Sequence, residues 1–314
     1  MDFDAGHDGL LVRPDPTDPR LTRRVAGLDH TGARVEASVT VERALTLYLN
    51  GQEIVTMMTI GDRPEDLALG YLLNQGMLRP GEDEVTAVEH DEDLGVVVVR
   101  TARPTDHEAR LRKKTLTSGC AQGTAFGDLM EGFAEARLPR GELRTSWLYG
   151  LLRRIGTLPT LYLEAGAIHG CALCERDRPV VYMEDVGRHN AVDKIAGWMH
   201  RTGTSGEGRM FYTTGRLTSE MVIKCVRMGV PVLISRSGFT AWGVDLAREA
   251  GLTLVGRCKG RRFVALAGEA NIVFDADPSA GDADGARGWR KNSREAEAAS
   301  AEAASAEAVS ADEG

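Results

Sequence analysis

Three loops in the second half of the chain repeat one arrangement, and it constrains the fold more than any other feature. They read Glu184-Asp185-Val186-Gly187-Arg188-His189, Thr213-Thr214-Gly215-Arg216 and Ser235-Arg236-Ser237-Gly238. Each follows a short apolar run with strand character (Val180 to Met183, Arg209 to Tyr212, Pro231 to Ile234), and each precedes a segment of helical period. Val192, Ile195, Ala196 and Met199 define one helix face. Asn190 reads as its cap, with Asp193 three residues on. Val222, Cys225, Val226 and Gly229 define a second helix, stopped by Gly229 and Pro231. A third runs from Thr240 to Gly251, and Leu252 to Val255 reads as a further strand. Strands alternating with helices predict an α/β fold with a parallel layer. In such a layer the turns after the strands open on one edge. Free N–H groups at helix N-termini there attract anions. Three turns with glycine and arginine therefore predict a ligand with several negative charges.

The rest of the chain divides by composition. Residues 1–24 are rich in Asp, Pro, Arg and Gly and read as a disordered segment. Residues 25–110 read as a smaller α+β part. There Asn50-Gly51, between two alternating runs, predicts a hairpin with a type I′ turn. Asp62 to Glu65 reads as a helix start, with Asp62 as cap, and the helix ends near Gly76. Residues 111–276 hold the α/β layer, with a helix near 140–156 and a short strand from Thr160 to Leu163. Residues 277–314, with Ser-Ala-Glu repeats and no apolar face, read as a disordered tail.

Several function classes are disfavoured. A net charge of −8 argues against a broad nucleic-acid surface. No apolar run approaches the roughly 20 residues that span a bilayer, and the acidic N-terminus reads as no signal peptide. Five cysteines, an odd and scattered number, fit free thiols in a cytoplasmic protein.

Cys120 is the candidate nucleophile. It lies in a polar, glycine-bearing loop (Ser118-Gly119-Cys120-Ala121-Gln122-Gly123), downstream of Arg110, Arg112, Lys113 and Lys114. Positive neighbours favour thiolate. Cys225 sits on an apolar helix face and reads as structural, while Cys258 lies beside the basic turn Lys259-Gly260-Arg261-Arg262. His169-Gly170-Cys171-Ala172-Leu173-Cys174 offers three potential zinc ligands but no second pair, and it reads as small core residues. Glu184, Asp185, Arg188, His189, Asn190, Asp193 and Lys194 are denser in polar groups than a helix cap requires, which favours a ligand site.

The stretch from Glu184 to Lys194 resembles the signature of the FdhD family, the accessory sulfurtransferases of formate dehydrogenase. The resemblance extends through Gly215-Arg216, Ser219-Glu220-Met221, Lys224 and Leu252 to Gly256, and covers about residues 40 to 270. It implies a cytidine deaminase-like three-layer fold with a smaller α+β N-terminal part, and a homodimer. It implies a sulfur carrier that takes persulfide sulfur from a cysteine desulfurase. That sulfur goes to the bis(molybdopterin guanine dinucleotide) molybdenum cofactor, a cargo that GDP would mimic, before insertion into formate dehydrogenase. By the resemblance the persulfide falls on Cys120 and the cofactor segment on Arg257, Cys258, Lys259, Gly260, Arg261 and Arg262. Gly187, Arg188, His189, Gly215, Arg216 and Arg236 complete the expected cofactor site, and no tightly held metal is expected. Many members carry a second loop cysteine, where this chain has Gly123. A resolving disulfide within the loop has no partner here, but a persulfide on Cys120 alone suffices chemically. Two other readings compete. One is a cofactor-holding chaperone that moves no sulfur. The other is a deaminase-type zinc hydrolase, which needs His-x-Glu and Pro-Cys-x-x-Cys. Here Gly170 and Cys171 follow His169, and Gly170 precedes Cys171.

Overall fold

The computed structural model describes residues 14–15, 18–104, 133, 138–158 and 161–280. Its centre is a six-stranded mixed sheet of β8 (His169–Glu175), β9 (Arg178–Asp185), β10 (Met210–Thr213), β11 (Val232–Ser235), β12 (Thr253–Lys259) and β13 (Arg262–Ala267). Their order is β13-β12-β11-β10-β8-β9. β10, β11 and β12 pair in parallel, as the alternating pattern predicts. β9 is not their neighbour. β8 lies between it and β10, antiparallel to both. The sequence His169 to Cys174 is thus a strand in the middle of the sheet. The segment before it, expected as a strand, is instead the short helix α3 (Leu161–Ala165). Glu184, fully buried, accepts the Leu161 N–H at 2.8 Å and so fixes this helix.

Helices cover both sheet faces. On one lie α4 (Arg188–Thr202), α5 (Ser219–Arg227) and α6 (Ala241–Ala250), and their apolar stripes join Cys171, Leu173, Phe211, Leu233 and Leu254 in one core. On the other lies α2 (Thr145–Thr157), whose Leu148, Leu151 and Ile155 meet Ala172, Cys174, Tyr212, Ile234 and Val255. Alternation along β8 sends Cys171 to the first core and Cys174 to the second. Two thiols on opposite faces of a strand cannot ligate one ion together. A short parallel pair, β7 (Leu143–Arg144) with β14 (Ile272–Val273), flanks α2.

The N-terminal part is a four-stranded sheet in the order β4-β3-β6-β5, packed on α1 (Pro64–Asn74). Its strands are β3 (Arg43–Leu49), β4 (Gln52–Thr59), β5 (Val85–Asp91) and β6 (Val96–Thr101). The expected hairpin is present with a two-residue turn, Leu49 facing Gln52. Only Asn50 of the turn is left-handed (φ 55°), whereas a type I′ turn needs both residues so. A separate ribbon of β1 (Thr22–Leu28) and β2 (Arg34–Thr40) precedes this sheet. It starts inside the segment expected to be disordered, because Leu21 is buried against Ile60, Leu161 and Ile168.

α1 joins the two parts by crossing α4 at two glycines. A Cβ on Gly70 would lie 1.7 Å from the Asp193 carbonyl oxygen, and one on Gly197 would lie 1.9 Å from that of Asp66. Only hydrogen fits at either position. Among the described residues no helix is long and apolar enough to cross a membrane.

Candidate functional site

β9, β10, β11 and β12 share one direction, so their carboxyl ends form one edge. The antiparallel strands β8 and β13 bring their first residues to that edge: His169 faces Asp185, and Arg262 faces Lys259. Of the three turns, the one after β9 behaves as the sequence predicts. Gly187 is the N-cap of α4, with no side chain capping it, and the helix begins at Arg188. This start is two residues before the expected cap at Asn190, whose amide instead donates to the Met58 carbonyl (2.8 Å) and to Asp185 Oδ1 (3.0 Å).

In the other two turns the helix does not follow the glycine directly: α5 starts at Ser219, and α6 at Ala241 with Thr240 as its cap, where the sequence places that helix. The intervening residues zip to each other. Leu217 and Phe239 form a parallel bridge, Leu217 N–H donates to the Gly238 carbonyl, and Thr240 N–H donates to the Leu217 carbonyl. Ser235 Oγ donates to the Gly215 carbonyl at 2.6 Å. Thr240 caps α6 by accepting the Gly243 N–H, which satisfies a donor that an anion would otherwise meet. Of the three helix N-termini, only that of α4 directly follows its strand.

Arg188 crosses Gly215: a Cβ there would sit 2.8 Å from Arg188 Cδ. Glycine at 215 is what lets the guanidinium lie across the mouth of β10. Arg216, beside it, is exposed. His169 is half-buried at the same place. Burial pushes its pKa below the ordinary value, and the charges of Arg188, His189 and Arg216 push it further down. His189 is lowered chiefly by burial, with Glu220 opposing and Lys224 and Arg188 adding to the fall. Its Nε2 lies 3.1 Å from Glu220 Oε2, off the line of a hydrogen bond. Five expected residues, Gly187, Arg188, His189, Gly215 and Arg216, thus converge with His169 into a basic mouth.

The remaining expected residues spread along the edge. Arg236 is exposed and lies over the ring of Tyr162, 5.5 Å from its centroid. Arg257 is exposed in the left-handed region (φ 55°), at a bulge between Gly256 and Lys259, and its N–H donates to the Ser237 carbonyl at 2.7 Å. That bulge turns Cys258 into the α2 core, where burial pushes its thiol up to about 12. Lys259 and Arg262 are exposed on either side of the tight turn at Gly260 (φ 60°). Arg261 is engaged elsewhere, donating to the Asp277 carbonyl and lying 5.1 Å over the Tyr149 ring. Cys120 and its basic upstream flank lie outside the described residues.

Much of the dense polar stretch expected to hold a ligand is instead buried. Lys194, fully enclosed, donates to Asp185 Oδ2 at 2.6 Å, to the Glu184 carbonyl at 3.0 Å and to Asp62. Thr59 Oγ1 donates to Asp185 Oδ2 at 2.5 Å. Asp193 accepts both Lys224 (2.7 and 2.8 Å) and Asn74 (2.7 Å). Of these, the bonds made by Thr59, Asp62 and Asn74 join the N-terminal part to the α/β layer. Asp62, expected to cap α1, is consumed here, and α1 begins after a left-handed Arg63 (φ 49°) with no side-chain cap. Thr59, Asn74 and Asp62 carry no local sign of this role. Lys224 does, being a charge set among the apolar Val222, Cys225 and Val226.

Comparison with known proteins places this arrangement. The FdhD/NarQ family model matches residues 40–273. The chain belongs to the FdhD/NarQ family. It is 29% identical over 247 residues to the sulfur carrier protein FdhD of Listeria monocytogenes, covering 77% of this chain and 94% of that one. It is 28% identical over 234 residues to that of Bacillus subtilis, covering 74% and 88%. A crystal structure of a putative formate dehydrogenase accessory protein from Desulfotalea psychrophila superposes with a TM-score of 0.65 at 27% identity, over 80% of this chain and 98% of that one. Within Glu184 to Lys194, Gly187 and Arg188 open α4 at the strand edge, while Asp185, Asp193 and Lys194 bind Thr59, Asn74 and Asp62 of the N-terminal part.

Proposed function

We propose that the protein is a sulfur carrier that loads a persulfide on Cys120 from a cysteine desulfurase and delivers it to the bis(molybdopterin guanine dinucleotide) molybdenum cofactor for formate dehydrogenase. The observation that carries this reading is the mouth formed by Arg188, His189, Gly215 and Arg216 beside an uncapped helix N-terminus. Phosphate is what such a mouth suits, through charge-assisted and bidentate guanidinium contacts. The bis cofactor supplies two pyrophosphates, one from each guanine dinucleotide. The relatives' name, sulfur carrier, supplies the other half of the reading.

In the loading step the Cys120 thiolate attacks the terminal sulfur of the donor's persulfide. The donor's S–S bond breaks, its cysteine leaves as thiolate, and a new S–S bond forms on Cys120, with no net oxidation. The cargo's phosphates bind Arg188 and Arg216, with Arg236, Arg257, Lys259 and Arg262 further along the edge. A cytidine deaminase-like layer order, a homodimer and a cytoplasmic setting belong to the same reading. Gly123, in place of a second loop cysteine, favours the alternative of a cofactor-holding chaperone that moves no sulfur. Formate dehydrogenase activation by Cys120→Ala separates the two: the carrier reading expects none, and full activation would leave only the chaperone.

A further inference from the structure

His169 belongs to a motif that neither the cofactor segment nor the buried network uses, yet it stands at the centre of the basic mouth. It is the first residue of β8, facing Asp185 in the register, between the turns that carry Arg188 and Arg216. Thr214 is the hydrogen-bond partner of its Nδ1. The Thr214 hydroxyl oxygen lies 3.1 Å from the Gly170 N–H, which donates to it, and 3.3 Å from His169 Nδ1. The Thr214 backbone N–H is already spent on the Gly170 carbonyl at 2.9 Å. A hydroxyl that accepts an amide proton keeps its own proton for a second partner, and Nδ1 is the acceptor within reach. When the hydroxyl donates to it, Nδ1 carries no hydrogen and the ring's single proton sits on Nε2; the hydroxyl's second lone pair would serve the other tautomer.

We infer that His169 is a ligand-contacting residue of this edge: Thr214 holds it as the Nε2–H tautomer, which donates to a phosphate oxygen of a nucleoside diphosphate group. The inference rests on the proposed reading of the edge as a phosphate site and adds a neutral donor to it. Arg188 and Arg216 supply charge. A third full cation between them would repel both, whereas a neutral imidazole adds direction without that cost. Burial and the neighbouring charges keep the ring neutral at pH 7.

The test uses the full chain with GDP as probe. Long-range ¹⁵N–¹H correlation spectra should show His169 protonated at Nε2 and bare at Nδ1, with the Nε2–H signal moving when GDP is added. By calorimetry His169→Ala should lose about tenfold or more in GDP affinity, as expected for a hydrogen bond to a charged group. His169→Gln, which places an amide donor near the Nε2 position, should recover part of it. A proton on Nδ1, or GDP affinity unchanged in His169→Ala while Arg216→Ala weakens it, overturns the inference and leaves the phosphate site standing. No GDP binding by the intact protein overturns both together.

Discussion

Replacing Lys194 by methionine removes the ammonium that pairs with both Asp185 and Asp62 where the N-terminal part meets the α/β layer. Lys194 and Asp185 side chains are both 0% exposed, so water cannot take the place of the lost ammonium. Breaking a buried pair by removing one partner costs about 3–5 kcal/mol, because a charge is left uncompensated. For a domain of this size each kcal/mol lowers Tm by roughly 2–4 °C, so a fall of roughly 6–20 °C is expected. Burial already pushes the Asp62 carboxyl above its usual range, and loss of the Lys194 charge removes what opposes that rise, so Asp62 takes up a proton more readily. The variant should therefore regain stability as pH falls through the carboxylate range. Combining Lys194→Met with Asp185→Asn and Asp62→Asn removes both orphaned charges and should recover part of the loss. Urea unfolding followed by circular dichroism measures all three proteins. A loss below about 1 kcal/mol in the single variant, or a triple variant no more stable than the single one, would refute the view that this triad joins the two parts.

Three further outcomes follow from the same structure. Gly70→Ala should destabilise by about 1–3 kcal/mol or more in urea unfolding, since a Cβ 1.7 Å from the Asp193 carbonyl must push α1 and α4 apart; wild-type stability would show that the helices can separate freely. Native-state alkylation with peptide mapping should label Cys120 first: the other four thiols are buried, Cys171 and Cys258 pushed up to about 12 by burial and Cys174 and Cys225 also raised by it. Alkaline unfolding should show a step absent from Lys194→Met. Burial alone would lower the Lys194 pKa, but Asp185 and Asp62 outweigh it and raise the folded value. The stability it contributes is thus complete below the unfolded value of about 10.4 and is lost as pH climbs through the higher folded one.

Periodicity is what made the α/β layer legible. β10, β11 and the helix α6 follow their apolar patterns to within a residue or two, because burial leaves a local imprint, while β12 starts within a residue of its pattern and runs four residues past it to Lys259. Strand order leaves none. The insertion of β8 between β9 and β10 depends on pairings such as Met210 with Cys174 that no local pattern encodes. The polar stretch from Glu184 to Lys194 illustrates a second limit. Its composition argues for an exposed site, yet Lys194 is buried because Asp62 arrives from 132 residues away to neutralise it. Asp62 had a plausible local role as a cap, and the long-range pair overrode it. The arginine-bearing turns were correctly gathered on one edge, because direction within a parallel layer follows from the alternation of strand and helix. The start of α6 at Thr240 was legible, but the Leu217–Phe239 bridge was not, since it joins two turns remote in sequence.

The central claim is that this chain carries sulfur on one particular thiol, and mass spectrometry of the intact protein and its peptides tests it most directly. The full chain is incubated with a cysteine desulfurase and cysteine, then digested without reductant. One added sulfur atom per chain is expected, located on Cys120 and absent from Cys120→Ala, with Cys171, Cys174, Cys225 and Cys258 unmodified. Sulfur on one of those buried thiols instead, or none on the intact protein under conditions where the desulfurase loads another acceptor, would contradict it.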